Sequence, residues 1–254
     1  MSPELTPGAE TQPAAMSQIA RLTGVFFEPK KTFEDIAERP KWFVPLLIFC
    51  LAMLAFFAVY GAHIGWATYF DQQMETNTML QQRLEGMSPD QRASAIRLQE
   101  KIMPIFFYGG AIFGAPLALL LSSAIVLALG SGVMSAGLRF KQVFAIECYA
   151  ALPHVIMRAL AIVVMFLKPP GDFNILNPVG FNPAAYMDPV STSRFVYTLL
   201  TGVDVFAIWA LILSAVGIKA AAGRRLSFGG ALFVVGLPWA VMLLGQAGLA
   251  GIFS

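Results

Sequence analysis

Charge is scarce in this sequence. Of 254 residues, 13% are Asp, Glu, Lys or Arg and 57% are hydrophobic, against about 25% and roughly 45 to 50% in a soluble domain. That balance excludes a chain written to face water on all sides. The formal net charge of +2 and its dispersed basic residues exclude an electrostatic footprint for nucleic acid. Cysteine is rarer still. Cys50 and Cys148 stand inside apolar stretches without metal-ligand spacing and read as small buried residues. With His63 and His154 as the two histidines, no paired zinc ligands can be assembled, and nucleotide loops and serine elbows are missing too. The expectation is a non-enzyme with no metal and no cofactor.

Long apolar runs are what the sequence does have. Five of them, at about residues 43–64, 103–130, 143–167, 196–220 and 228–252, are each near the roughly 20 residues that cross about 30 Å of hydrocarbon. The expected fold class is all-α: a polytopic membrane protein with a five-helix transmembrane bundle over residues 21–254, preceded by a disordered polar tail, residues 1–20. The tail lacks the basic and apolar regions of a cleavable signal. Trp42 and Trp66 bracket the first run at the depth where indoles favour the membrane interface. In the long second run, Pro104, Gly109, Gly110 and Pro116 are the places for a kink; Pro169-Pro170 ends the third.

Lysine and arginine near the span ends set an orientation. One side collects Arg21, Lys30, Lys31, Arg39, Lys41, Arg139, Lys141, Lys219, Arg224 and Arg225; the other has Arg83, Arg92, Arg97, Lys101, Lys168 and Arg194. The richer side is expected to be cytoplasmic, which puts the N-terminus inside and the C-terminus outside.

Outside the spans, prolines at 29 and 40 frame a short helix with Phe33, Ile36 and Ala37 on one side, expected to lie in the membrane interface. Pro29, Phe33 and Trp42 are its candidate interface anchors or partner contacts. On the outer side, Ser88-Pro89-Asp90-Gln91 is a capping box that opens a polar helix leading toward span two. The outer loop, about residues 168–193, repeats Asn177-Pro178, Asn182-Pro183 and Asp188-Pro189, turn-forming pairs that interrupt helices.

Ionisable residues inside the spans are the informative exceptions, because each is costly in hydrocarbon and turns to the bundle interior or a water-filled cavity. Glu147, His154 and Arg158 share one helical face. Arg158 lies about 16 Å along the axis from Glu147, too far to pair. It lies about 13 Å below the outer end of its span, and Asp204 about 12 Å below the start of the next. An Arg158–Asp204 ion pair between neighbouring spans is therefore predicted. Glu147, His154, Arg158 and Asp204 read either as a static interhelical lock or as a path for a proton, an ion or a lipid headgroup.

Taken in order, Phe27-Glu28-Pro29-Lys30-Lys31-Thr32-Phe33, Pro40-Lys41-Trp42, Tyr149-Ala150-Ala151-Leu152-Pro153 and Asp204-Val205-Phe206-Ala207-Ile208-Trp209-Ala210-Leu211 with Gly217 resemble the Yip domain family of five-span membrane proteins, over about Leu22 to the C-terminus. The resemblance implies a cytosolic N-terminal region. Eukaryotic members bind Rab-type GTPases in early secretory traffic, but their cytosolic Asp-Leu-Tyr-Gly-Pro motif is missing here, which argues against small-GTPase binding. The opening segment looks like the prokaryotic members, which implies a prokaryotic plasma (inner) membrane. The leading expectation is a scaffold or adapter whose partners are the lipid bilayer and another membrane protein or further copies of itself. The alternative is a small transporter or lipid-translocating protein using the polar face of span three.

Overall fold

The computed structural model describes residues 15–252. Ser17 starts the first helix: its hydroxyl accepts from the Ala20 amide at 3.1 Å, and α1 (Gln18–Phe27) follows. Residues 18–20, expected in the polar tail, are thus helical, because a capping serine stands just ahead of an amphipathic run; residues 1–14 lie outside the described residues. Pro29 at the first helical position opens α2 (Pro29–Glu38), where its missing amide costs no hydrogen bond.

Five helical segments are long and apolar enough to cross a membrane, and no strand occurs among the described residues. Span one is α3 (Phe43–His63). After it, α4 (Trp66–Thr76) and α5 (Thr78–Glu85) lead to Ser88, which forms the expected capping box with Gln91; the end of the bundle that holds them is called outer, and the end that holds α1 and α2 inner, as labels after the expected orientation. From there α6 (Pro89–Gly109) and α7 (Ala115–Leu127) run as one 45-residue helical segment, Pro89–Val133, so span two begins far outside the hydrocarbon. Pro104 and Pro116 do not break it. A wide π-turn at Gly110–Gly114 precedes Pro116 and accommodates its missing amide.

Span three is α8 (Phe140–Ala150) plus α9 (Pro153–Leu167), with a break at Ala151-Leu152. Span four is α11 (Val205–Ala222), which begins later than the expected 196–220, because α10 (Arg194–Gly202) is a separate short helix that stops at Val203-Asp204. Span five is α12 (Phe228–Ile252).

Two hydrophobic cores stack along the bundle. The inner one gathers Phe33, Ile36, Ile146, Tyr149, Leu213 and Ile218; the outer one gathers Phe56, Tyr60, Met165 and Phe173. The apolar face of α2 is the plug of the inner core. Phe33 and Ile36 are each 0% exposed and Ala37 is 5% exposed. This corrects the interfacial reading: the amphipathic face is turned onto spans three and four, which offer it a groove. Gly217 makes that groove, since a Cβ there would come 2.8 Å from Phe33 Cδ1. Ile19 and Phe27 on α1 stay exposed at this end, as do Phe43 and Phe140 at the starts of α3 and of the third span.

Truncating the plug should therefore be costly. Phe33→Ala is expected to destabilise the detergent-solubilised protein by roughly 3–5 kcal/mol, the usual cost of emptying an aromatic core site, read as a lower thermal midpoint. Lys30→Ala, on the exposed side of the same helix, should stay within about 0.5 kcal/mol of wild type.

Candidate functional site

Span three distributes its polar residues to two different places. Pro153 cannot donate to the carbonyl of Tyr149; that carbonyl accepts the Leu152 amide at 3.2 Å instead, and the His154 and Val155 amides reach back three residues, to Ala151 and Leu152. The tightened turn separates the side chains on either side of it. Glu147, on the inner half, accepts a hydrogen bond from the Ser214 hydroxyl of α11. His154 and Arg158, on the outer half, line a cavity of about 330 Å³. The continuous polar face expected from helical spacing is therefore cut in two.

The outer cavity is walled by Phe56 and Phe57 of span one, Phe107 of span two, Met157 and Ala161 of span three, Thr201 of α10, and Asp204 at the start of span four. Residues 175–179 and Asn182 of the outer loop roof it. The roof is fixed in place. Gln72 donates to the carbonyls of Gly171 and Phe173 at 3.0 and 2.9 Å, Phe173 is 0% exposed, and the Val205 amide donates to the Phe181 carbonyl at 3.1 Å. Asn177 and Asn182 bond each other through their side-chain amides at 2.7 and 3.3 Å.

The predicted Arg158–Asp204 ion pair does not form. Both residues face the cavity, but Asp204 is the N-cap of α11, its Oδ1 accepting the Phe206 and Ala207 amides at 2.8 and 3.0 Å. Capping α11 holds that carboxylate at its own backbone. Arg158 lies with its guanidinium carbon 5.6 Å from the centre of the Phe49 ring, and its Nε is buried without a hydrogen-bond partner. His154 meets the same ring edge-on at 6.4 Å.

A second polar cluster, at the inner end, was not anticipated. Arg21 is 1% exposed; its Nε meets Asp35 Oδ2 at 2.6 Å and its Nη1 donates to the Arg39 carbonyl at 2.9 Å. Asp35 Oδ1 also accepts the Met16 amide at 3.3 Å and lies 3.5 Å from Arg39 Nη1. Gln142 bonds the Arg139 amide through Oε1 at 3.0 Å and the Ala37 carbonyl through Nε2 at 2.8 Å, and Tyr149 donates to Gln18 Oε1 at 2.7 Å. These contacts tie α1 and α2 to span three. The available sequence signal was the amphipathic pair of helices around Pro29, which places Arg21 and Asp35 on facing sides of a hairpin.

Of the inner-segment candidates, Phe33 is a core residue and so is not presented to a partner. Pro29 starts α2, and Trp42 is partly buried with its ring 5.3 Å from that of Phe144. Among the described residues no group of three or more His, Cys, Asp or Glu could hold a metal ion.

The fold and these two clusters define an all-α, multi-pass membrane protein with a largely apolar cavity that holds His154, Arg158 and Asp204 in the outer half of its bundle, and a buried ion pair locking an N-terminal hairpin to the inner half. The family model described as the Yip1 domain matches residues 23–249, and the chain belongs to that family. Comparison with curated proteins gave no match, nor did comparison with solved structures.

The two arginines make opposite predictions. Arg21→Met and Asp35→Asn should each cost roughly 3–5 kcal/mol, since each strands a buried charge or its partner, and a double-mutant cycle should return more than about 1 kcal/mol of coupling. Arg158→Ala and Asp204→Ala, combined in the ligand-free protein, should be additive to within about 0.5 kcal/mol.

Proposed function

We propose that this Yip1-domain protein is a non-enzymatic membrane adapter that binds another membrane protein along span two and its outer extension. The observation that carries this reading is the exposure of that helix. The 45-residue segment Pro89–Val133 has 11% of its most apolar window buried by the rest of the chain, against 39% for span four. At 1.5 Å per residue it is about 68 Å long, more than twice the roughly 30 Å of hydrocarbon. Leu98 and Ile102 are exposed at helical spacing and continue, ahead of the span, its exposed apolar flank of Ile105, Phe106, Phe113 and Leu117. Lipid chains cover a flank inside the bilayer but not its extension, whereas a protein partner covers both.

A photo-crosslinker at Leu98 is expected to capture one membrane protein at near-equal stoichiometry, and Ile102→Asp with Ile105→Asp to abolish the adduct. Capture of lipid alone, or only of a second copy of this chain, would sink the heterologous adapter reading.

The orientation belongs to the same proposal: N-terminus in the cytoplasm of a prokaryotic cell, C-terminus outside. It rests on the basic rim of Lys30, Lys31, Lys41, Arg139, Lys141, Arg224 and Arg225, all exposed at one end of the bundle. The native cysteines lie within spans one and three. In a background lacking them, Ser191→Cys should therefore react with an impermeant maleimide added to intact cells, and Lys31→Cys should react only after the membrane is opened.

The outer cavity favours a second reading, a small transporter or lipid-translocating protein. Span three, broken at Ala151-Leu152, lines it with His154 and Arg158, and span four begins beside it at Asp204; broken spans around a midplane cavity are how transporters build binding sites. The inner core, filled by Phe33, Ile146 and Ile218, would have to open for a substrate to cross. A flux into liposomes that falls with Glu147→Gln and Arg158→Ala would support it.

A further inference from the structure

We propose that the outer cavity binds a zwitterion, a group carrying an oxyanion and a primary ammonium a short distance apart. The proposal rests on the cavity being a ligand site, as in the transporter reading, but not on anything being carried across the membrane.

Arg158 and Asp204 put two opposite charges on one cavity without an ion pair between them. Arg158 presents a guanidinium with five donors that cannot be deprotonated, and its Nε is buried with no acceptor. Phe49 covers one face of it, which leaves the in-plane donors unanswered. Asp204, on the same cavity, uses Oδ1 for two backbone amides, and Oδ2 accepts no hydrogen bond among the described residues. The remaining amide groups of the lining do not meet these needs, because Asn177 and Asn182 are engaged with each other. A simple anion would answer Arg158 and be repelled by Asp204; a simple cation would do the reverse. One molecule with both charges answers both, its phosphate or carboxylate on the guanidinium and its ammonium on Oδ2. The volume, about 330 Å³, is at the small end of ligand pockets, roughly 300–1,000 Å³, and suits a headgroup. The apolar walls Phe56, Phe57 and Phe107 suit the first carbons of an attached chain.

Two sources share this chemistry: the headgroup of an ethanolamine phospholipid in the facing leaflet, and a free zwitterion such as phosphoethanolamine or an amino acid. The test has two arms. In the first, the full chain is reconstituted in nanodiscs with equal phosphatidylethanolamine, phosphatidylcholine and phosphatidylglycerol, and the lipid retained after detergent extraction is counted by native mass spectrometry. In the second, the delipidated protein is titrated with phosphoethanolamine, glycine and inorganic phosphate, and its thermal midpoint is followed.

Retention of phosphatidylethanolamine roughly 10-fold or more above the other two lipids is expected, from the loss of one charge-assisted hydrogen bond with either competitor. Arg158→Gln and Asp204→Asn should each erase that preference. Asparagine is itself a good N-cap, so Asp204→Asn keeps α11 intact, and an unchanged ligand-free midpoint confirms folding. Stabilisation by phosphoethanolamine or glycine without lipid selectivity supports the free source. Binding of inorganic phosphate as tight as that of phosphoethanolamine, and tightened by Asp204→Asn, identifies a simple anion site and overturns the proposal. So does the absence of binding in both arms. Selective binding without lipid scrambling in liposomes would leave the proposal standing and remove the translocation reading.

Discussion

Span three changes partners at Ala151-Leu152, and the organisation of both halves of the bundle follows from that change. Proline at 153 has no amide to donate, and its ring crowds the preceding turn. The turn tightens, with the Leu152 amide taking the Tyr149 carbonyl, so no backbone group is stranded in a medium without water. Before the break, α8 is almost wholly buried from Gln142 to Ala150 and forms the axis of the inner core. After it, α9 exposes Ile156, Leu160, Val163 and Phe166 on its outward flank and turns His154 and Arg158 to the outer cavity. One residue without an amide thus divides the bundle into a sealed inner half and a hollow outer half.

The inner seal depends on the N-terminal hairpin, and the hairpin depends on its ion pair. Phe33 and Ile36 supply the apolar contact, but α1 and α2 are short helices of 10 residues each, marginal on their own. The Arg21–Asp35 contact joins them at 2.6 Å with both side chains nearly excluded from solvent. A buried pair of this kind adds little against a hydrophobic replacement, yet it is costly to break on one side. Its effect is to fix register: α1 can meet α2 only where the guanidinium also reaches the Arg39 carbonyl. Gln142 and Tyr149 then set the hairpin against span three. The basic rim around it remains exposed.

Hydropathy made the spans legible, because each is a long apolar run that hydrocarbon requires to be helical. The capping box at Ser88 was equally legible, since its partners are three residues apart. What failed was the assumption of unbroken helices. Asp204 was read as a residue inside a continuous span, whereas Gly202 just ahead of it and Val205-Phe206 just after mark a helix restart with aspartate as the cap. As the cap, Asp204 commits Oδ1 to two backbone amides, which fixes its carboxylate at the start of α11 and not beside Arg158. Arg21 was counted only as one positive charge among several on the inner side. Its partner lies 14 residues on, across a turn, and no periodicity within one helix could have joined the two. Phe33 was correctly put on an apolar face, but a sequence does not say whether lipid or protein covers such a face; Gly217, far along the chain, decides it.

The same chain shows what a satisfied buried arginine requires, and Arg158 does not have it. Arg21 has a carboxylate at 2.6 Å and a carbonyl at 2.9 Å. Arg158 has an aromatic face at 5.6 Å and a buried nitrogen without an acceptor. An arginine near the centre of a membrane helix costs about 2.5–3.5 kcal/mol on insertion scales; a desolvated cation–π contact returns about 2 kcal/mol or more but supplies no acceptor for the Nε–H. If the arginine served only to hold helices together, Asp204, which lines the same cavity, would be the natural partner. The Oδ1 of that carboxylate is held at the start of α11 by two amides, and the roof of the cavity is anchored by hydrogen bonds from both α4 and α11. Rigid walls, two opposite charges held apart and an unanswered donor are what a pre-organised binding site has before its ligand arrives.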